Sequence, residues 1–127
     1  MRIDLTALME AYSRIASIHH YQIFTIFVIL DIVTGYTKAF INKNLDSKIG
    51  LRGLAKHFSI VLLVFITCPY LWLLGAQWIA LFLLYSLVVN YGISIVENYS
   101  EIAPGALPPV FRQFFKRLRD KAEGVTL

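Results

Sequence analysis

The chain has 127 residues, of which 57% are hydrophobic and 16% charged, and its formal net charge is +4 at pH 7. A mean hydropathy of +0.64 is too high for a soluble domain of this size, so we predict an all-α integral membrane protein. One cysteine and three histidines argue against a disulfide scaffold and against a zinc site. The sequence contains no phosphate-binding glycine loop and no HExxH motif, and we expect neither enzyme activity nor a cofactor.

The first eighteen residues are predicted to form an amphipathic helix. Leu5, Leu8, Tyr12 and Ile15 fall at helical spacing, and charged residues occupy positions between them. A helix of this kind binds a membrane surface through its apolar face. The pattern leaves open whether residues 1–18 lie on the membrane or cross it.

The first predicted span, residues 20–41, contains one acidic residue. Asp31 lies near its middle, where a carboxylate costs about 2.5 to 3.5 kcal/mol and needs a partner or water. Thr34 and Gly35 follow one turn later, and Gly35 with Ala39 forms a pair of small residues that lets another helix approach closely. We expect a tight helix contact around Asp31. The acid is either protonated and hydrogen-bonded within a bundle or ionised beside water.

The 39 residues 58–96 include no Asp, Glu, Lys or Arg. A single helix of that length would be about 58 Å long, roughly twice the thickness of a hydrocarbon core, so the run must turn back on itself. We predict a second span over residues 57–74 and a third over residues 77–98. Residues 42–56 are predicted to form the loop that precedes them. Pro69 removes a backbone donor near the end of the second span and is expected to kink it.

A row of polar residues follows the third predicted span. Ser86, Asn90, Ser94 and Asn98 recur every four residues and therefore share one helix face, which we call the polar ladder, and Glu97 lies beside its lower end. Polar residues within a span form hydrogen bonds between helices or line water. Both roles require neighbouring helices, and three helices are too few to enclose a wide channel.

Lysine and arginine cluster in the loop and in the tail, residues 99–127. The positive-inside rule therefore places the N-terminus outside the membrane and the loop and tail inside. The basic and aromatic run FRQFFKRLRDK in the tail predicts a cytoplasmic helix that rests on anionic lipid, and nothing indicates nucleic acid as a partner. The clustered cations are Lys43, Lys48, Arg52 and Lys56 in the loop, and Arg112, Lys116, Arg117, Arg119 and Lys121 in the tail.

Three motifs in order resemble those of the bacteriophage holins, a family that includes accessory proteins for clostridial toxin secretion. The resemblance covers about residues 21–118. The motifs are DIVTGYTKA at residues 31–39, DSKIGLRGL at residues 46–54, and SIVEN at residues 94–98, which Pro104 and Pro108-Pro109 follow.

This resemblance implies a protein that assembles with itself in the bacterial cytoplasmic membrane and opens lesions. A cell-wall hydrolase, the endolysin, or a toxin would leave through these lesions without needing direct contact with the protein. The residues themselves leave two alternatives open. One is a small ion channel or transporter subunit with Asp31 as its coupling site, and the other is a membrane scaffold that recruits a partner through its tail.

Overall fold

A computed structural model describes residues 3–124, apart from the side chains of Phe115 and Ala122. Residues 1, 2 and 125–127, at the ends of the predicted N-terminal segment and tail, lie outside the described residues. The part of the chain that is described has five helices and no strand. They are α1 (Leu5–Ser17), α2 (His19–Ile41), α3 (Ser47–Leu73), α4 (Gln77–Ile102) and α5 (Pro109–Ala122).

Three of these helices, α2, α3 and α4, are each long and apolar enough to cross a membrane. The predicted class, an all-α membrane protein, is confirmed. The helices leave much of their surface uncovered, because only 6% of the most apolar stretch of α3 is buried, against 28% in α4. Large apolar side chains such as Phe58, Trp78 and Phe82 are exposed accordingly, as expected of surfaces that face lipid or other proteins.

The segment predicted as a loop, residues 42–56, is helical from Ser47 onward. Asp46 is the reason, because its side chain accepts a hydrogen bond of 2.9 Å from the backbone N–H of Lys48 and caps the first turn of α3. Lys48, Arg52 and Lys56 therefore lie on a helix that extends beyond the uncharged part of α3. The α4 helix likewise continues four residues past the predicted span end, to Ile102.

The α3 and α4 helices form a hairpin that turns at residues 74–76. Gly75 has a φ of 73°, a left-handed conformation that favours glycine, and the N–H of Ala76 donates to the carbonyl of Leu71 at 2.8 Å. We call this side of the bundle the hairpin end. The opposite side, where residues 42–46 and 103–108 connect the helices, is the basic end.

The α2 and α4 helices run in the same direction and form the most extensive helix pair. Their contacts fix the register, since His20 meets Tyr85 near the start of α2 and Asp31 meets Asn98 further along. Eight residues of α4, from Gln77 to Leu84, therefore precede the level at which α2 begins, a distance of about 12 Å. The α2 helix is thus displaced toward the basic end.

The core lies between the three long helices and α1. Cys68 of α3 and Leu84 of α4 are fully buried, and Val28 of α2 and Ile15 of α1 belong to the same cluster. The α1 helix packs against α3 beside the beginning of α2. At the basic end α5 packs back against α4.

Candidate functional site

A polar network joins the three long helices near the basic end. It consists of Asp31 and Thr34 of α2, His57 of α3, and Tyr91 and Asn98 of α4. Asp31 and Asn98 are buried, with 6% and 7% of their surface exposed. Every buried side-chain nitrogen or oxygen in the described part of the chain has a hydrogen-bond partner. The network therefore satisfies its polar groups without lipid contact.

Asn98 ties α4 to α2. Its Nδ2 atom donates to Oδ1 of Asp31 and to Oγ1 of Thr34, both at 3.2 Å. The Thr34 hydroxyl itself points to the carbonyl of Leu30 at 2.8 Å, which leaves its oxygen lone pairs to accept from Asn98. A Cβ atom at Gly35 would lie 3.6 Å from the same nitrogen, an ordinary contact distance. Gly35 is therefore packed directly beside the amide, while Ala39 is half-buried one turn later.

His57 connects α3 to both neighbours. Its Nε2 atom lies 3.7 Å from Oδ2 of Asp31, and its Nδ1 atom lies 3.1 Å from the hydroxyl of Tyr91. The His57 and Tyr91 rings are stacked, with centroids 5.6 Å apart. The 3.7 Å separation is longer than a hydrogen bond, so His57 and Asp31 interact electrostatically, most strongly when the ring is protonated.

The sequence offered weak signals for these two aromatic members of the network. His57 stood out only as the first residue of a predicted span, and Tyr91 did not stand out at all. Tyr91 precedes Asn98 by seven residues, which places both on one face of α4. That spacing could have linked Tyr91 to Asn98 from the sequence. Only the position of α3 in the structure shows that His57 belongs to the same network.

Asp31 lies nearer to one edge of the apolar layer than its place in the sequence indicates. The sequence puts Asp31 near the middle of the first predicted span. In the structure it is level with His57 and Asn98, which lie just outside the two ends of the uncharged run. Because α2 is displaced toward the basic end, Asp31 lies at the border of the apolar layer formed by residues 58–96. The carboxylate is therefore closer to water than its place in α2 suggests.

Two hollows reach Asp31 from different sides. The first has a volume of about 360 Å³, lies between α2 and the beginning of α3, and is lined by Asp31, Gly53 and His57 among others. The second has a volume of about 260 Å³ and is lined by Asp31 together with Asn90 and Glu97. Both openings belong to the basic half of the bundle. Asp31 therefore lines both hollows.

The polar ladder is covered only at its lower end within one chain. Asn98 is buried in the network and Ser94 is half-buried, whereas Asn90 and Ser86 are exposed. The Ser86 hydroxyl donates to the carbonyl of Phe82 at 2.8 Å, so its own helix satisfies it. Asn90 has no such bond among the described residues and lines the second hollow. The upper part of the ladder is thus left uncovered by the chain's own helices, with Asn90 at an open hollow.

The basic residues gather at the basic end. Arg119 of α5 forms an ion pair with Glu97, and Nζ of Lys38 lies 3.9 Å from Oε2 of Glu101. The α5 helix also exposes apolar side chains, including Phe111, beside its basic ones. The remaining predicted cations are exposed on the connections and on the first turns of α3 or along α5; they are Lys43, Lys48, Arg52, Lys56, Arg112, Lys116, Arg117 and Lys121.

A bundle of long apolar helices with a polar network at one end defines an integral membrane protein, and nothing in residues 3–124 groups three metal-binding side chains. The model of the bacteriophage holin family matches residues 16–120. The chain therefore belongs to the bacteriophage holin family, as its motifs predict, and proteins of this family are not typically enzymes.

Two relatives come from Clostridium perfringens. One is an uncharacterised protein of strain 13 / Type A, 37% identical over 98 residues, which cover 76% of this chain and 72% of the relative. The other is an uncharacterised 14.9 kDa protein in the nagH 3' region, 35% identical over 98 residues, which cover 76% of this chain and 74% of the relative. No solved structure matches the chain.

Proposed function

We propose that the protein is a holin that assembles with itself in the cytoplasmic membrane and opens lesions. A cell-wall hydrolase or a secreted toxin then passes through these lesions and needs no direct contact with the protein. The observation that carries the proposal is the exposure of Asn90 on an apolar helix of a holin-family chain. An amide that faces lipid is unfavourable, and a second copy or water relieves it.

The uncovered surface of α3 supports self-assembly as well. With 6% of its most apolar stretch buried, α3 has most of its length available for other copies. Individual hydrogen bonds between membrane helices contribute about 0.6 to 2 kcal/mol, so the ladder gives direction to an association that apolar contacts alone leave unspecific. Several copies, with their ladders facing inward, would line a lesion with polar groups.

The proposed orientation has the basic end in the cytoplasm and the hairpin end outside. The cations of the α2–α3 connection, the first turns of α3 and α5 all lie at one end, which favours the cytoplasmic side. There α5 combines basic residues with exposed apolar ones, a composition suited to anionic lipid headgroups.

Induced expression in bacteria tests the function when membrane potential is recorded together with enzymes released into the medium. We expect protein to accumulate without harm, and then potential to collapse as a cytoplasmic hydrolase appears outside. Parent protein that accumulates without either event contradicts the proposal.

The position of Asp31 favours a second candidate, a small ion channel or transporter subunit with this acid as its coupling site. Asp31 borders two hollows and lies near His57, as an ion- or proton-coupling group would. The same expression experiment separates the two functions. An ion-selective current without protein release favours the channel, and release of a cytoplasmic hydrolase favours the holin.

A further inference from the structure

Pro69 leaves one backbone carbonyl of α3 without its usual donor. In an α-helix the carbonyl of Phe65 would accept from the N–H of residue 69, but proline has none. The hydroxyl of Tyr12 in α1 takes this place and donates to the Phe65 carbonyl oxygen at 2.9 Å. The Tyr12 and Phe65 rings also pack together, with centroids 4.7 Å apart.

This contact lies within the apolar part of the bundle. Phe65 precedes Trp72 by seven residues, about 10 Å along α3, and tryptophan favours the membrane interface. Ala11 and Ile15 of α1 are buried beside it, with 1% and 9% of their surface exposed. The Tyr12 contact places α1 on this part of α3, beside Tyr21 of α2.

We propose that the α3 surface beneath α1 is an interaction surface for a second copy of this chain, and that α1 restrains self-assembly by occupying it. This inference rests on the proposed self-assembly and adds the surface that controls it. A copy that binds at this particular surface needs α1 to undock, whereas most of the rest of α3 is already uncovered. Undocking then uncovers Val64 and leaves the carbonyl of Phe65 unpaired, and a donor from the second copy satisfies this carbonyl.

Two features of α1 favour its undocking from α3. Glu10 and Arg14 are exposed on the outer side of α1, and charges are better accommodated at the membrane interface than about 10 Å below it. Ile18 separates α1 from α2 with an extended backbone, at ψ 128°, so α1 can move without unfolding α2. The Tyr12 hydrogen bond opposes this movement, because the Phe65 carbonyl has no other donor from its own helix.

Cys68 reports on docking independently of function. It is the only cysteine, is fully buried, and belongs to the core cluster that Ile15 of α1 completes. We expect Tyr12→Phe to increase its rate of reaction with N-ethylmaleimide in membranes by about two- to tenfold, the effect of losing one hydrogen bond. Crosslinked oligomers should also form at a lower protein level than in the parent. Tyr70→Phe is the matched control, since Tyr70 is exposed and its hydroxyl makes no hydrogen bond among the described residues.

A second variant keeps the test valid if Tyr12→Phe perturbs folding. Pro69→Ala supplies the missing N–H, so Phe65 no longer needs Tyr12, and adding Tyr12→Phe to Pro69→Ala should change neither readout further. Equal Cys68 rates and equal oligomer onset in Tyr12→Phe and Tyr70→Phe overturn the inference, as does faster labelling without earlier oligomers. If the parent forms no oligomers at any level, the proposed function fails, while the Cys68 rates still measure docking.

Discussion

The side-chain amide of Asn98 donates to the carboxylate of Asp31 at 3.2 Å, and 67 residues separate the two along the chain. This bond joins the first and third apolar helices at the border of the apolar layer. His57 approaches the same carboxylate from the second helix. One acidic group therefore holds all three helices in register, so its removal should affect packing before it affects any pore.

Asp31→Asn and Asp31→Leu should have different effects. Asparagine still accepts from Asn98 but removes the ionisable group opposite His57, so we expect insertion and oligomers as in the parent, with a changed time of opening. Leucine removes one hydrogen-bond acceptor of the buried Asn98 amide, and this loss should destabilise the bundle by about 1 to 3 kcal/mol. Resistance to unfolding by sodium dodecyl sulfate measures the difference. Equal resistance and equal opening times in the leucine variant and the parent would show that Asp31 has no packing role.

The pair of Arg119 and Glu97 should hold α5 against α4. Both side chains are partly exposed, and such ion pairs contribute about 1 kcal/mol or less to stability. Arg119→Glu should therefore speed tryptic cleavage within α5 by up to about fivefold in inside-out vesicles. Arg117→Glu is the control, because it makes the same charge change, removes one trypsin site and lies at an exposed position.

Exchanging the two charges provides the decisive comparison for this contact. The double variant Glu97→Arg with Arg119→Glu should return cleavage to the rate of the control. Cleavage that is equally fast in Arg119→Glu and Arg117→Glu would mean that net charge, and not the pair, positions α5.

The sequence was sufficient for the helical membrane class because the uncharged run from Phe58 to Val96 allows few alternatives. It was not sufficient for the register between helices. The displacement of α2 depends on contacts such as His20 with Tyr85, which lie far apart in the sequence and follow no period. For the same reason Asp31 was expected at mid-span, and His57 could not be recognised as its neighbour.

Local signals were present in the sequence but could be interpreted only with the structure. Asp46 is a favourable N-cap residue, and it begins α3 before the uncharged run does. Pro69 led us to expect a kink in the second span. Pro69 also leaves the Phe65 carbonyl without its helical donor, and only the position of α1 shows that Tyr12 replaces this donor.

The predicted orientation can be checked with single cysteines in a variant that lacks Cys68. Cysteines at Asp4 and Ala76 should react with an impermeant thiol reagent in intact spheroplasts, because the proposed orientation puts the N-terminal segment and the hairpin turn outside. A cysteine at Gln113, exposed on α5, should react only after the membrane is opened. Reaction at position 113 in intact spheroplasts would reverse the orientation.

The polar ladder should be necessary for assembly and for release. Replacing Asn90 and Ser94 together by leucine makes α4 more compatible with lipid and leaves its length unchanged. We therefore expect normal insertion and smaller crosslinked oligomers. No hydrolase should appear in the medium at protein levels where the parent releases it. Ser86→Ala is the control and should behave as the parent does, because the Ser86 hydroxyl is bonded to Phe82 of its own helix. Oligomer size is measured beside hydrolase activity after induction. Unchanged release by the double variant would exclude the ladder from the mechanism, since both substitutions remove the polar groups that a second copy or water would contact.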